Sequence, residues 1–359
     1  MAYISREKAS FSRIDAGNGA YFGWGLSQNQ LFQRFERGVA VEVIRAKRAG
    51  ACYGVQRALD MANEVIEAGG RAYTLGPLIH NPQVVADLEA RGAAAVEAVE
   101  DIPSKEPAPI GGNPTAAGDA PNGPAGRQEK APDAGAVEAC EDAPAPSVVI
   151  RSHGVTPEVL SAVADRGFAV VNATCPHVSR AQAAAAELAR EGCRVLVIGE
   201  AGHPEVEGLT AWAREAGGKV DVVASPDEIP EGLYDPVGVV AQTTQRKENL
   251  EAVVAALRTA GLDPVVKNTI CSATRQRQEA AAELAARVDA MVVIGGRNSS
   301  NTTRLAEVCA DVCPRTFHIE AASELDPGAF ADCVRVGLTA GASTPEDQIA
   351  AVEAVLRTL

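Results

Sequence analysis

The sequence predicts an α/β protein of three lobes, related by pseudo-threefold symmetry and built on mainly parallel sheets. Three observations carry this. Short apolar strands alternate with helices of ten or more residues, the pattern of parallel sheets joined by right-handed crossovers. The segments ACYGVQRALDMANEV, TCPHVSRAQAAAAEL and ICSATRQRQEAAAEL repeat one another, with Cys52, Cys175 and Cys271 in matching places. In each copy an apolar strand follows and ends at Gly76, Gly199 or Gly295, always 24 residues past the cysteine. Four residues beyond each glycine stands a polar side chain: His80, His203 or Ser299.

Composition bounds the rest. At 359 residues, 46% hydrophobic and 22% charged, the chain reads as soluble and globular with more than one core. A formal net charge of −14 argues against a nucleic-acid or anionic-membrane partner. Apolar runs such as VLVIG and MVVIGG are too short to span a bilayer, and the N-terminus shows no secretory signal. Eight cysteines in such a chain point to a reducing cytoplasm, and to metal or reactive thiols rather than bridges.

Along the chain, residues 1–40 hold seven of the 14 aromatic side chains and lie outside the repeat, as an extension without an assigned role. Lobe one is expected over 41–174, opening with the strand in VAVEVIRA. It carries a low-complexity insert at about 100–147, with nine of the 21 prolines and Cys140, that is too poor in large apolar residues to offset its ordering entropy. SVVIRSHGVTPEVLSAV and FAVVNATCPHV continue the strand–turn–helix pattern. Lobe two, 175–268, contains CRVLVIGEAGHPEVEGL and VGVVAQTTQRKENLEAVVAAL. Lobe three, 269–359, contains AMVVIGGRNSSNTTRLAEV and VRVGLTAGASTPEDQIAAVEAVL. Each lobe has a second polar turn, RSHGVTPE, AQTTQRKE or TAGASTPED, whose key side chains are His153, Thr243 and Ser343. All these residues fall at the carboxyl ends of strands, where open α/β sheets bind ligands.

A cysteine at a helix N-terminus has its thiolate favoured by unpaired N–H groups. Three converging thiolates suit an iron–sulfur cluster or zinc. Structural zinc takes four ligands, often in close pairs, and the chain has no Cys-x-x-Cys pair. A [4Fe–4S] cluster on Cys52, Cys175 and Cys271 would leave one iron open as a Lewis acid. Cys193, Cys309, Cys313 and Cys333 are expected to be buried structural residues, and Cys309 and Cys313 have no expected third partner.

Of five histidines, His80, His153 and His203 sit at predicted strand ends. With Thr243, Ser299, Ser300, Asn301 and Ser343 they form a donor set suited to an oxyanion such as diphosphate. The hydroxyl and amide residues could each be a helix cap, whereas the histidines are not expected to be. His177 and His318 are expected to be structural. Glu205, in GHPEVEG, is placed at the mouth of the cleft as a proton donor. Glu207 is expected to be a helix-dipole acid.

The ordered motifs GACYGVQRA, LIHNPQVVADLEARG, RSHGV, ATCP, AGHPEVEG, QTT, TICSATRQRQEA, GGRNSSNTTRL and TAGAS resemble the 4-hydroxy-3-methylbut-2-enyl diphosphate reductase family. The resemblance covers about 41–350 apart from the insert. It implies three lobes around a central [4Fe–4S] cluster ligated by Cys52, Cys175 and Cys271. It further implies diphosphate contacts from His80, His153, Ser299, Ser300, Asn301 and Ser343. His203 and Thr243 would meet the substrate hydroxyl, and Glu205 would donate the proton. A ferredoxin or flavodoxin type donor would supply two electrons singly, giving isopentenyl and dimethylallyl diphosphate. Ala51 replaces the family's usual Phe before the first cysteine. Two other readings remain at this point, a quinolinate-synthase-like cluster dehydratase and a non-catalytic iron–sulfur sensor. AGHPEVEG and GGRNSSNTTRL argue against the first, and a ring of oxyanion donors argues against the second.

Overall fold

Runs such as VLVI and MVVI are apolar at every position, so a strand made from them must be covered on both faces. The computed structural model shows this, and describes residues 41–69, 71–103 and 146–359. The extension over 1–40 and most of the insert, with Cys140, lie outside the described residues.

The first sheet contains β2 (Ala72–Leu75), β3 (Ala93–Val96), β4 (Ser147–Ile150) and β5 (Ala169–Asn172), in the order β3-β2-β4-β5. The second contains β6 (Arg194–Ile198), β7 (Val220–Val223), β8 (Val237–Ala241) and β9 (Val265–Val266), in the order β7-β6-β8-β9. The third contains β10 (Ala290–Ile294), β11 (Thr316–Ile319) and β12 (Arg335–Ala340), and its fourth strand is β1 (Glu42–Arg45), in the order β11-β10-β12-β1. Every pairing is parallel. The three sheets therefore share one strand order.

Here the structure departs from the expected lobe one, because β1 pairs with β12, Glu42 opposite Arg335 and Arg45 opposite Leu338. The reason is topological. In each sheet the fourth strand is the one that runs into a cysteine turn: β5 into Cys175, β9 into Cys271, β1 into Cys52. The last lobe lacks that strand, and the start of the repeat region supplies it.

Each central strand alternates between two cores. Val195 and Val197 pack into one cluster of the second lobe while Leu196 and Ile198 pack into the other. Met291 and Val293 against Val292 and Ile294 do the same in the third, and Val149 against Val148 and Ile150 in the first. The strands β3, β7 and β11 were not expected from the sequence. They occupy the same edge in their three sheets and are only partly buried, so no continuous apolar run announces them.

The helices that carry polar residues begin where the sequence supplies a stop to the strand and a cap. α1 (Tyr53–Glu67), α4 (Pro176–Arg190) and α7 (Ser272–Ala285) have Cys52, Cys175 and Cys271 as their N-cap residues. α2 (Pro82–Ala90) and α5 (Pro204–Glu215) start with proline, whose fixed φ suits a first helical turn. α3 (Pro157–Asp165), α6 (Lys247–Thr259), α8 (Ser300–Val312) and α9 (Glu346–Leu356) complete the helices among the described residues.

Candidate active site

Threefold equivalence places the cysteines by one repeated backbone bond. Cys52 N–H donates to Ala342 O at 3.0 Å, Cys175 N–H to Ser152 O at 3.0 Å, and Cys271 N–H to Thr243 O at 2.9 Å. Each cysteine turn is thus tied to the second residue beyond the third strand of its sheet. These bonds also correct the alignment of the second polar turns. Thr243 is equivalent to Ser152 and Ala342, so Thr244, not Thr243, matches His153 and Ser343.

The twelve side chains singled out in the sequence line one cavity: Cys52, Cys175, Cys271, His80, His153, His203, Glu205, Thr243, Ser299, Ser300, Asn301 and Ser343. Thr244, Ser152, Thr274 and His177 line it as well. His177 was expected to be structural only; its Nδ1 lies 2.7 Å from Arg180 Nη2.

Cys52, Cys175 and Cys271 are partly buried free thiols. Burial pushes the Cys175 thiol up, partly offset by the N–H groups of His177 and Val178, and the charges of Cys52 and Cys271 push it further up. For Cys175 burial therefore outweighs the helix terminus. Among the described residues no group of three His, Cys, Asp or Glu is arranged to hold a single metal ion. A polynuclear cluster fits the three thiols better than one zinc, whose sulfur ligands all lie at about 2.3 Å from the metal. Gly54 supports this fit. A Cβ there would stand 2.5 Å from Cys175 Sγ and 3.9 Å from Cys52 Sγ, so only glycine leaves the sulfurs their space.

His80, His153 and His203 form a triangle with ring centroids 4.2, 5.3 and 5.6 Å apart. Burial lowers the pKa of His80, takes that of His153 well below its usual value, and takes that of His203 to about 3; neighbouring positive groups, Arg151 among them, add to each effect. The rings are neutral without an anion. Both nitrogens of His80, Nδ1 of His153 and Nδ2 of Asn301 are buried without a hydrogen-bond partner. His203 is a helix cap after all: Glu205 N–H donates to its Nδ1 at 3.1 Å. That bond places the ring proton on Nε2 and leaves it available as a donor.

Glu205 lies inside the protein, 1% exposed, rather than at the mouth of the cleft. Thr243 N–H donates to its Oε1 at 2.6 Å and the Thr243 hydroxyl to its Oε2 at 2.9 Å. Burial raises its pKa to about 7, against the opposing pull of the two Thr243 bonds and of Arg304. Ser299 caps α8 and the Ser343 hydroxyl donates to His80 O at 3.0 Å, so both also have structural duties.

Sequence reasoning missed the charges between lobes two and three. The Glu200 carboxylate accepts from the Ser300 hydroxyl and pairs with Arg304 at 2.8 Å, while Arg304 Nη1 reaches Thr244 Oγ1 at 3.2 Å. Glu200 lies in GEAGHPE and Arg304 in NSSNTTRL, close to His203 and Asn301, but no feature of the sequence marks Arg304 as buried. Of the other cysteines, Cys313 interacts electrostatically with both Cys309 and Cys333, so a third thiol does lie nearby. Burial pushes Cys309 up to about 12 and Cys333 up to about 11, and thiols so firmly protonated are poor metal ligands. The His318 ring bonds Gly295 O at 2.9 Å from edge strand β11.

Residues 43–357 match the family described as LytB protein. The chain is 44% identical over 307 residues to the 4-hydroxy-3-methylbut-2-enyl diphosphate reductase of Geotalea uraniireducens, covering 85% of this chain and 93% of that protein. Identity to the reductase of the same name from Geobacter sulfurreducens is 44% over 309 residues, again 85% and 93% of the two chains. Among solved structures, one described as (E)-4-hydroxy-3-methyl-but-2-enyl diphosphate reductase, the terminal enzyme of the non-mevalonate pathway, superposes with a TM-score of 0.59 at 37% identity, covering 89% of this chain and 100% of that one. The E-1-hydroxy-2-methyl-but-2-enyl-4-diphosphate reductase from Plasmodium falciparum gives a TM-score of 0.72 at 21% identity over 88% of each chain, a likeness of fold.

Proposed function

The chain belongs to the LytB protein family, and on that premise we propose that it reduces (E)-4-hydroxy-3-methylbut-2-enyl diphosphate to isopentenyl and dimethylallyl diphosphate, the last step of the methylerythritol phosphate route. The observation that carries this reading is the single cavity in which three thiols from three lobes share walls with a buried acid and unpartnered imidazoles. Each turnover takes two electrons and two protons. The allylic C–O bond breaks, the hydroxyl leaves as water, and the second proton goes to one end of the allyl unit.

Cys52, Cys175 and Cys271 are the residues that would hold a [4Fe–4S] cluster. When bound, such a cluster supplies the electrons one at a time together with a Lewis-acid iron; a ferredoxin or flavodoxin type carrier would deliver them. His80, His153, Asn301, Ser299, Ser300 and Ser343 would take the diphosphate. The buried nitrogens without partners would donate hydrogen bonds to an anion, and its charge favours protonation of the imidazoles. For Ser300 to join them it must leave Glu200.

Glu205 holds the proton. Protonated, it donates from Oε2 to Thr243 Oγ1 across the 2.9 Å contact, and the Thr243 hydroxyl then turns its hydrogen into the cavity. His203 Nε2–H would orient the leaving hydroxyl from the other side. Among the described residues no helix is long and apolar enough to cross a membrane.

The test is anaerobic reconstitution with iron and sulfide, followed by addition of reduced methyl viologen and the allylic diphosphate. Substrate-dependent dye oxidation with both isomeric products is expected. An intact cluster with no turnover would overturn the reading in favour of a sensor.

A further inference from the structure

Arg277 is not among the residues that line the cavity. It lies on α7, six residues beyond Cys271, and is 5% exposed. Its Nη2 donates to Gly50 O at 2.7 Å, two residues before Cys52. Its Nε and Nη1 are buried with no hydrogen-bond partner. Among the described residues it forms no ion pair with a carboxylate. Burial lowers its pKa, the charges of Cys52 and Cys271 oppose that by favouring the ionised form, and Arg48 adds to the lowering.

A buried guanidinium is costly unless an anion answers it, and two empty N–H groups add to that cost. Arginine keeps its charge in nearly any surroundings, so this cation stays and waits for a partner. We propose that Arg277 is the positioning residue and fixed counter-charge of the three-cysteine site. Through Gly50 O it fastens the Cys52 turn to the Cys271 helix. Its free Nε–H and Nη1–H serve the anionic group held by the cysteines. This rests on the cluster reading above. A fixed positive charge beside an iron–sulfur group favours its reduced state, because net charge and hydrogen bonds set such potentials.

Arg277→Met and Arg277→Lys, made in the full chain and reconstituted anaerobically beside the wild type, separate charge from shape. At a fixed potential, Arg277→Met is expected to shift the oxidised-to-reduced ratio about tenfold toward oxidised, equivalent to about 59 mV for one electron. Arg277→Lys should stay close to wild type in potential. An Arg277→Met cluster with the wild-type potential overturns the counter-charge. The positioning half is read on the protein without iron, by amide hydrogen exchange. Arg277→Met should speed exchange at the Cys52 N–H several-fold and leave the Cys175 N–H unchanged; equal rates at Cys52 overturn it. A wild-type chain that takes up no iron removes the cluster reading, and the exchange measurement still decides the positioning.

Discussion

At Glu205 two effects oppose each other: burial disfavours the carboxylate, and the Thr243 N–H and hydroxyl favour it. Burial wins, and the group that ionises near 4.5 in an open chain holds its proton to about 7 in the fold. The substrate-free protein therefore has this contribution in full below pH 4.5 and loses it as pH rises through about 7. The loss is of order 3 kcal/mol. His80, His153 and His203 act the other way, since folding lowers their pKa values and charging them costs stability as pH falls below 6.5. Glu205→Gln mimics the protonated acid. Its melting temperature should match wild type near pH 4 and exceed it at pH 8. Turnover should fall at least about 100-fold, the usual worth of a positioned acid, with iron content unchanged. Near-wild-type turnover would take Glu205 out of the proton path. The sequence marked Glu205 through its place after His203–Pro204. It could not show depth, because Thr243, which bonds both carboxylate oxygens, stands 38 residues further along the chain and meets Glu205 only in the fold. It also could not choose between Thr243 and Thr244, since the choice rests on the Cys271 N–H bond to Thr243 O.

In α1 the second helical residue, Gly54, opposes local preference. Glycine inside a helix costs about 0.5–1 kcal/mol relative to alanine. Its place is explained by Cys175, whose sulfur would be 2.5 Å from an added Cβ. In Gly54→Ala the Cys175 side chain has to shift in the iron-free protein as well, so the melting temperature should not rise above that of wild type, while iron bound per chain falls several-fold. A variant that loads iron normally would show that the sulfurs can shift without cost, and would weaken the three-cysteine site. Other elements were legible to different degrees for related reasons. Strands β6, β8 and β10 are buried at nearly every position, so unbroken apolar runs gave them away. Strands β3, β7 and β11 are half solvated and carry no run of large apolar side chains: VDVV and TFHI are interrupted by Asp221 and His318, and AAAV has only Val96. His203 carries both a cap bond and a cavity face, and sequence reasoning gave it only the second.

The threefold order closes through β1, which begins the repeat region and completes the sheet formed by its end. From β1 the chain stays fastened to the β12 side: Ala46 N–H to Leu338 O, Gly50 N–H to Ala340 O, Cys52 N–H to Ala342 O. The strand that closes the third sheet thereby aims the first cysteine at the common cavity. Sequence reading found the three cysteine turns because their spacing repeats. It placed β1 in lobe one because partnership between strands 290 residues apart leaves no mark on either; Ile44 lies opposite Gly337 and Arg45 opposite Leu338 only in the fold. Val43 is 7% exposed and packs in the third lobe's core with Val336 and Leu338. A carboxylate there is buried without a partner, which costs roughly 3 kcal/mol or more. Val170, on the equivalent fourth strand of the first sheet, is 42% exposed. Val43→Asp should therefore lower the melting temperature sharply and raise chelator-induced iron loss, whereas Val170→Asp should stay near wild type in both. If exchange at the Cys52 N–H in Val43→Asp equals that of wild type, β1 does not position the first cysteine; faster exchange at Cys52 than at Cys175 places the closure of the fold and the assembly of the site on one strand.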